Sequence, residues 1–228
     1  GRELWKAGGE LTKKYYGGTI GVTGDKLVYC THTTLVCLNR NSGKQVWKVP
    51  VETRLSQTPG VGVTLVLSAD MVYWADLKTM AAHSLQDGKQ VWTDVLTSAK
   101  VSPADKDGVE KTNATRLGHF KPPDLYVING VVWSRYNQLK NVGYDARTGK
   151  VVSSLPQTMN GPMGHDRCYR HRVTEKYYIN SATGGTDFVK FDGSGEFPSP
   201  WVRSTCGIGY LPCNGLLYVP PDQCFCQP

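Results

Sequence analysis

One phrase recurs along the chain: an alternating strand, a polar turn that ends in Gly-Lys, and a second strand. It reads LVCLNRNSGKQVWKV at 35–49, AAHSLQDGKQVWTDV at 81–95, NVGYDARTGKVVSSL at 141–155 and, more loosely, DFVKFDGSGEF at 187–197. The marker glycines are 45, 61 and 46 residues apart, at Gly43, Gly88, Gly149 and Gly195. Short strands repeated every ~40–50 residues are typical of a β-propeller, in which each repeat is one blade. The sequence therefore predicts an all-β propeller of four-stranded antiparallel blades.

About five blades fit into the 228 residues. Their predicted ranges are roughly 16–50, 58–96, 122–156, 166–204 and 206–226. Residues 1–6 read as an outermost strand without a blade, so we expect them to close the fifth blade and make 1–228 a single domain. The same arithmetic also fits a fragment of a longer propeller. The last strand of the fourth blade is predicted at 199–205, SPWVRST.

Three tryptophans occupy the same place in the repeat. Trp47 and Trp92 follow Gly-Lys by the same spacing, and Trp5 follows Gly1-Arg2 in the same way. Because the repeat itself explains their positions, we expect them to pack between blades. An aromatic binding stripe is the alternative.

The composition limits the classes of partner. The net charge of +7 suits an anionic partner such as an acidic polysaccharide. No block of five like charges occurs, so nucleic acid is not expected. No apolar run approaches the ~18–20 residues that a membrane helix needs.

Seven cysteines point to an oxidising compartment, and none of them forms a CxxC pair. Cys30 and Cys37 lie on neighbouring predicted strands. They form a disulfide only if the two positions are directly opposed, and two buried free thiols are the alternative.

The phrase L-x-x-x-(T/S/D)-G-K-x-x-W resembles the repeat of the PQQ-repeat, or quinoprotein-like, propeller superfamily. The resemblance implies a propeller fold and covers quinone dehydrogenases as well as cofactor-free scaffolds. The dehydrogenases carry an adjacent Cys-Cys disulfide and a calcium or lanthanide ion. This chain has no adjacent cysteines, so neither pyrroloquinoline quinone (PQQ) nor calcium is expected, and no metal site is predicted.

The C-terminal third is similar to a subgroup of secreted bacterial PQQ-repeat proteins. The resemblance is carried by the segments Cys-Tyr-Arg at 168–170, Trp-Val-Arg-x-x-Cys at 201–206 and Pro-Pro-x-x-Cys-x-Cys at 220–226. It implies an extracytoplasmic location, whether periplasmic, cell-surface or secreted. It also implies two disulfides among Cys168, Cys206, Cys224 and Cys226, with Cys213 left over. Their connectivity cannot be deduced from the sequence.

The densest polar cluster is the segment His165-Asp166-Arg167-Cys168-Tyr169-Arg170-His171-Arg172. Strand alternation places His165, Arg167, Tyr169 and His171 on one side and the other four residues on the opposite side. A polysaccharide lyase needs arginine to neutralise a uronate carboxylate, and tyrosine or histidine as base and acid. The candidate catalytic residues are therefore His165, Arg167, Tyr169 and Arg203. The alternatives are an anion-binding site and a purely structural cluster.

An insertion of about 16 residues is expected within 98–122, where the repeat interval lengthens to 61 residues. The sequence as a whole favours a binding or scaffold module for a protein or an anionic glycan. A lyase-type enzyme is the second hypothesis and a quinone oxidoreductase is the third.

Overall fold

A computed structural model describes residues 1–6, 15–31, 33–53, 63–68, 70–76, 79–95, 124–135, 142–155, 169–182, 185–199, 201–205 and 208–221. The secondary structure of these residues consists of β-strands joined by turns. Nowhere in these ranges is there a helix with the length and hydrophobicity to span a membrane.

Sixteen of the strands form four-stranded antiparallel sheets in which neighbours follow chain order. The first sheet contains β1 (Tyr15–Thr23), β2 (Lys26–Thr31), β3 (Thr34–Asn39) and β4 (Gln45–Pro50). The second contains β5 (Thr64–Ser68), β6 (Met71–Ala75), β7 (Thr79–Ser84) and β8 (Gln90–Val95). The third contains β9 (Asp124–Ile128), β10 (Val131–Arg135), β11 (Val142–Asp145) and β12 (Val151–Ser154). The fourth contains β13 (Arg172–Val173), β14 (Tyr177–Ala182), β15 (Gly185–Lys190) and β16 (Glu196–Ser199).

A fifth sheet has two described strands, β17 (Leu211–Cys213) and β18 (Leu216–Tyr218). The first strands of the sheets are spatial neighbours, since β1 lies against β5, β5 against β9 and β13 against β17. This arrangement is that of successive blades around an axis, and the prediction of an all-β propeller is confirmed. Closure of the fifth blade by residues 1–6 stays a prediction.

The predicted last strand of the fourth sheet is wrong by several residues. The backbone N–H of Lys190 donates to the carbonyl of Gly195 at 2.9 Å, which closes a tight turn. The outer strand therefore begins at once, at Glu196, and ends at Ser199. Trp201 lies beyond this strand, with 92% of its surface exposed.

The predicted docking of tryptophans between blades is confirmed. Each indole N–H donates to a carbonyl in the turn of the following sheet. The three pairs are Trp5 with Arg40 at 2.7 Å, Trp47 with Leu85 at 2.9 Å, and Trp92 with Ala146 at 2.9 Å. In each case the accepting residue stands three positions before the marker glycine.

The marker glycines make room for these indoles. Gly43, Gly88 and Gly149 have φ angles of +70°, +76° and +69°, which favour glycine. A Cβ atom at these positions would lie only 2.7–2.8 Å from the docked indole. The glycine of the repeat therefore serves both the turn and the close approach of the preceding blade.

The joint between the third and fourth sheets is different. Ser153 stands where Trp47 and Trp92 stand in the earlier sheets. The interface is filled instead by Trp133 of β10, whose ring lies 5.0 Å from that of Phe191. Tyr178, Leu155 and the neighbouring aliphatic side chains complete this cluster. This joint therefore still buries a tryptophan, but the residue comes from a central strand of the sheet and not from its outermost strand.

We expect Trp47→Ala to lower the free energy of unfolding by ~3–5 kcal/mol, because it removes a buried indole and one hydrogen bond. Trp201→Ala is the matched control, since this exposed indole should change stability by no more than ~0.5 kcal/mol. Urea unfolding followed by circular dichroism measures both values. Equal losses in the two variants would contradict the docking role.

Candidate functional site

The predicted polar cluster is described only from Tyr169 onward. His165, Arg167 and Cys168 lie outside the described residues, as do Cys206, Cys224 and Cys226. Tyr169 and Arg203 are described, so the structure locates two of the four candidate catalytic residues. Whether the four candidates come together stays a prediction.

Tyr169 lies in the core between the fourth sheet and β17–β18. Only 2% of its surface is exposed, and its ring meets the ring of Tyr210 edge-on at 5.0 Å. The two hydroxyl oxygens are 2.7 Å apart, and the hydroxyl of Thr186 lies 2.5 Å from that of Tyr210. Thr186 also donates to the carbonyl of Val202 at 2.8 Å. The Tyr169 hydroxyl is therefore part of a buried polar chain that joins two blades.

Arg203 lies in the segment between β16 and β17 and is half-buried. On one side of it, Val202 packs against the cluster formed by Tyr169, Ile179 and Tyr210. On the other side, the hydroxyl of Ser204 donates to the carbonyl of Gly209 at 2.6 Å. Arg203 thus belongs to the segment that supports the Tyr169 core.

The guanidinium group of Arg172 fastens the fifth sheet to the fourth. Its Nε donates to the carbonyl of Tyr210 at 3.0 Å, and one terminal nitrogen donates to the carbonyl of Ile208 at 3.3 Å. The other terminal nitrogen donates to the carbonyls of Arg170 and His171 at 3.2 and 3.0 Å. A guanidinium with this many backbone acceptors acts as a structural clamp.

Arg170 reaches across to the second sheet. Its guanidinium donates to the hydroxyl of Thr64, at the start of β5, at 2.9 Å. Tyr169 and His171 are buried, whereas Arg170 and Arg172 are half-buried. Residues 169–172 therefore follow the predicted alternation.

A buried histidine–aspartate pair joins the third and fourth sheets. His171 and Asp124 are 0% and 1% exposed, and Nε2 of His171 lies 3.4 Å from a carboxylate oxygen of Asp124. The same oxygen lies 3.4 Å from the backbone N–H of His171. The hydroxyl of Tyr126 donates to the carbonyl of His171. Burial, and then the negative charge of Asp124, raise the pKa of Tyr126 well above its usual range. Tyr126 therefore stays protonated and keeps donating.

Sequence reasoning missed Asp124 and Tyr126. The signal that could have found Asp124 is its place in the repeat. The first strand of the third sheet begins with Asp124, and the first strand of the second sheet begins with another polar residue, Thr64.

His83 of β7 is buried, and both of its ring nitrogens have partners within the second sheet. Its Nε2 accepts from the indole N–H of Trp74 at 3.1 Å, and Nδ1 lies 2.9 Å from the carbonyl of Gly88. Burial lowers the pKa of His83, so the neutral ring with a proton on Nδ1 satisfies both contacts.

The three cysteines that the structure describes are free thiols. Cys30 pairs with Leu35 and Cys37 with Val28, so the two cysteines are not directly opposed. Both are buried, whereas Cys213 is exposed. Of the alternatives for Cys30 and Cys37, the structure supports two buried thiols. The two disulfides implied for the other four cysteines stay a prediction.

Among the described residues, no three His, Cys, Asp or Glu side chains come close enough to hold a metal ion. The acidic residues of the 98–122 insertion lie outside the described ranges.

Comparison with known families agrees with this architecture. The sequence profile of a PQQ-repeat family, described as outer membrane protein assembly factor BamB, matches residues 1–176. The chain belongs to this family. The resemblance to the PQQ-repeat superfamily is thereby confirmed. No curated protein matches the chain significantly.

Two computationally designed proteins show the same fold. The computationally designed Ika8 protein has a TM-score of 0.55 at 12% identity, over 87% of this chain and 53% of its own. The designed Ika4 protein has a TM-score of 0.53 at 13% identity, over 84% of this chain and 99% of its own. BamB from Moraxella catarrhalis has a TM-score of 0.49 at 20% identity, over 79% of this chain and 51% of its own. The chain spans about half the length of Ika8 and of the Moraxella protein.

We expect Asp124→Ala to lower the free energy of unfolding by about 1–3 kcal/mol, because it leaves the backbone N–H and the ring of His171 without this carboxylate. Glu175→Ala, on an exposed turn of the fourth sheet, is the matched control and should be nearly neutral. Urea unfolding measures both. An unchanged free energy of unfolding in Asp124→Ala would contradict the role of the His171–Asp124 pair in joining the two sheets.

We expect Cys213 to react with iodoacetamide in the folded protein, whereas Cys30 and Cys37 should react only after unfolding. Burial, and then the charge of Asp76, raise the pKa of Cys30 to about 12, so little thiolate forms near neutral pH. Peptide mass spectrometry with and without urea assigns each label. Rapid labelling of Cys30 in the folded protein would contradict the burial.

Proposed function

We propose that this chain is an extracytoplasmic binding module that acts as a scaffold for a protein partner. The observation that carries the proposal is the set of contacts made by residues 169–172, the described part of the polar cluster. Tyr169, His171 and Arg172 are occupied with buried or backbone contacts that join blades. Side chains used in this way hold a framework together and leave the outer surface for recognition.

The family description supports the same class of function, because it names an assembly factor of the outer membrane. It also supports a location outside the cytoplasm, as does the number of cysteines. An intact-mass measurement tests the compartment argument. Reduction should add the mass of two hydrogens for each disulfide, and two disulfides are expected.

The lyase hypothesis requires His165, Arg167, Tyr169 and Arg203 to meet a uronate. The burial of Tyr169 favours the scaffold over this hypothesis, because a catalytic base must reach the proton that it abstracts. A quinone oxidoreductase is disfavoured for this chain by the lack of adjacent cysteines. An anionic glycan as the scaffold's ligand remains an outcome of the test below.

The deciding experiment incubates the protein with a panel of acidic polysaccharides and follows the ultraviolet absorbance of unsaturated uronate. We expect no absorbance change, and no thermal stabilisation by PQQ with calcium. Cross-linking in the native envelope should identify a protein partner, whose affinity is then measured with purified components. Product formation that is lost in Tyr169→Phe would overturn the scaffold proposal in favour of the lyase.

A further inference from the structure

Two sheet faces carry exposed apolar side chains at positions that the repeat buries elsewhere. On the first sheet, Ile20 and Val22 of β1 are 47% and 48% exposed. On the β17–β18 hairpin, Leu211, Leu216 and Tyr218 are 61%, 61% and 51% exposed. The equivalent positions of the other sheets indicate what covers each face.

The first of these faces is defined by the register of β1 and β2. Ile20 pairs with Tyr29, and Val22 pairs with Leu27. Because paired residues of antiparallel strands lie on the same side of a sheet, these four side chains form one face, which we call the start face. A Cβ atom at the intervening Gly21 would lie 2.6–2.9 Å from side chains of β5, so the opposite face packs against the second sheet. The start face therefore looks away from the second sheet.

The second sheet shows what the repeat does with the start face. The segment TIGVTGDKLVYC of β1–β2 aligns without a gap with TLVLSADMVYWA of β5–β6. In this alignment Ile20 and Val22 correspond to two leucines of β5. These leucines, Leu65 and Leu67, pack against the first sheet, and Leu65 is only 7% exposed. The start face thus holds the position of a face that a preceding blade covers.

The second exposed face lies on the β17–β18 hairpin. Leu211 pairs with Tyr218, and Cys213 pairs with Leu216. These four side chains share one side of the hairpin, which we call the end face. Leu217 lies on the other side and packs into the cluster next to the fourth sheet. The end face therefore looks away from the fourth sheet.

The hairpin turns Asn129-Gly130 and Asn214-Gly215 relate the end face to the third sheet. Both turns have positive φ angles, 50° and 77° in the first and 52° and 75° in the second. Aligned on these turns, the end face corresponds to four residues of β9 and β10, which are Tyr126, Ile128, Val131 and Trp133. All four pack in the joint with the fourth sheet, where Trp133 is only 4% exposed. The end face thus holds the position of a face that a following blade covers.

The two ends of the described chain supply different parts of one blade. Trp5 docks on the first sheet as Trp47 docks on the second, since its indole N–H donates to Arg40 and its ring meets Gly43. Residues 1–6 therefore stand where the outermost strand of a blade before the first sheet belongs. The fifth sheet contributes inner strands, β17 and β18. The start face and the end face are the two sides of one kind of joint.

We propose that a second copy of this chain covers both faces, so that the end face of each copy packs against the start face of the other. Contact between two different faces of one chain is heterologous, and two copies related by a half-turn close it into a ring. Residues 1–6 of each copy then complete the fifth sheet of the other copy. The apolar side chains of both faces leave water at two joints, which favours association. This assembly does not depend on the scaffold function.

The length of the chain favours a second copy over contact between the two faces of one chain. Closure within one chain requires about five sheets to turn through a full circle. The chain instead superposes on 99% of Ika4 but on only 53% of the larger Ika8, which has the same fold. Two chain lengths match Ika8, and the smaller turn per blade leaves the two faces of one chain apart.

Sedimentation equilibrium tests the assembly. The parent protein should give twice the chain mass of 25.1 kDa and should dissociate on dilution. Ile20→Glu and Leu216→Glu each place a carboxylate in a joint, so each should raise the dissociation constant at least ~tenfold. Val151→Glu is the matched control, because Val151 is 57% exposed on the outermost strand of the third sheet and lies on neither face. Circular dichroism checks that each variant is folded.

Mixing the two variants tests whether unlike faces meet. Ile20→Glu keeps an intact end face, and Leu216→Glu keeps an intact start face. The mixture should therefore form a pair through one intact joint, although neither variant pairs with itself. Association of either variant alone with the affinity of the parent would indicate contact between like faces and would overturn the proposal.

Cys213 gives a second readout because it lies on the end face. The iodoacetamide labelling expected above applies to the dissociated chain. Raising the protein concentration should slow labelling of Cys213 several-fold in the parent but not in Leu216→Glu. Non-reducing electrophoresis shows whether a Cys213 disulfide, and not the sheet faces, holds the pair together.

A parent protein that stays monomeric at every concentration would overturn the proposal. If Cys213 is then protected, the two faces meet within one chain, and if it is labelled rapidly, both faces stay open. A pair held only by a disulfide would overturn it as well. The scaffold function is tested separately, since a cross-linked protein partner can be identified whatever the mass of the assembly.

Discussion

The contact between an indole and the glycine turn of the next sheet is the interaction on which the rest of the structure depends. It gives the indole N–H groups of Trp47 and Trp92 buried acceptors and places a large apolar ring where two sheets meet. The turn can accept the ring only because glycine has a positive φ and no Cβ. At the joints where it occurs, this contact thus fixes the turn, the spacing of the sheets and the direction of the chain.

The joint between the third and fourth sheets lacks this contact and has a buried polar connection instead. Ser153 cannot dock, so Trp133 and Phe191 bury the apolar area, and His171 with Asp124 connects the inner strands. A buried polar pair is directional, whereas apolar packing tolerates small shifts. The pair therefore fixes the fourth sheet where the repeat no longer does. Residues 169–172 of the polar cluster supply such directional contacts at the fourth sheet, where the docking tryptophan is missing.

The sequence predicted the parts of the molecule that repeat, and it failed where contacts are made once. Trp5, Trp47 and Trp92 could be placed between blades because three copies of one phrase share a spacing. The outer strand of the fourth sheet was misplaced because its tight turn lacks the Gly-Lys of the others. Tyr169 was a candidate catalytic residue, but it is buried and its hydroxyl pairs with that of Tyr210, which is 41 residues away. No periodicity reports such a pairing.

The alternation of the outermost strands separates stability from recognition. Trp47 and Val49 face the neighbouring sheet, so changes there alter the joint between blades. Val46 and Lys48 are exposed, so their identity can change without disturbing the docking indole. A propeller built in this way can keep one architecture while the chemistry of its rim varies.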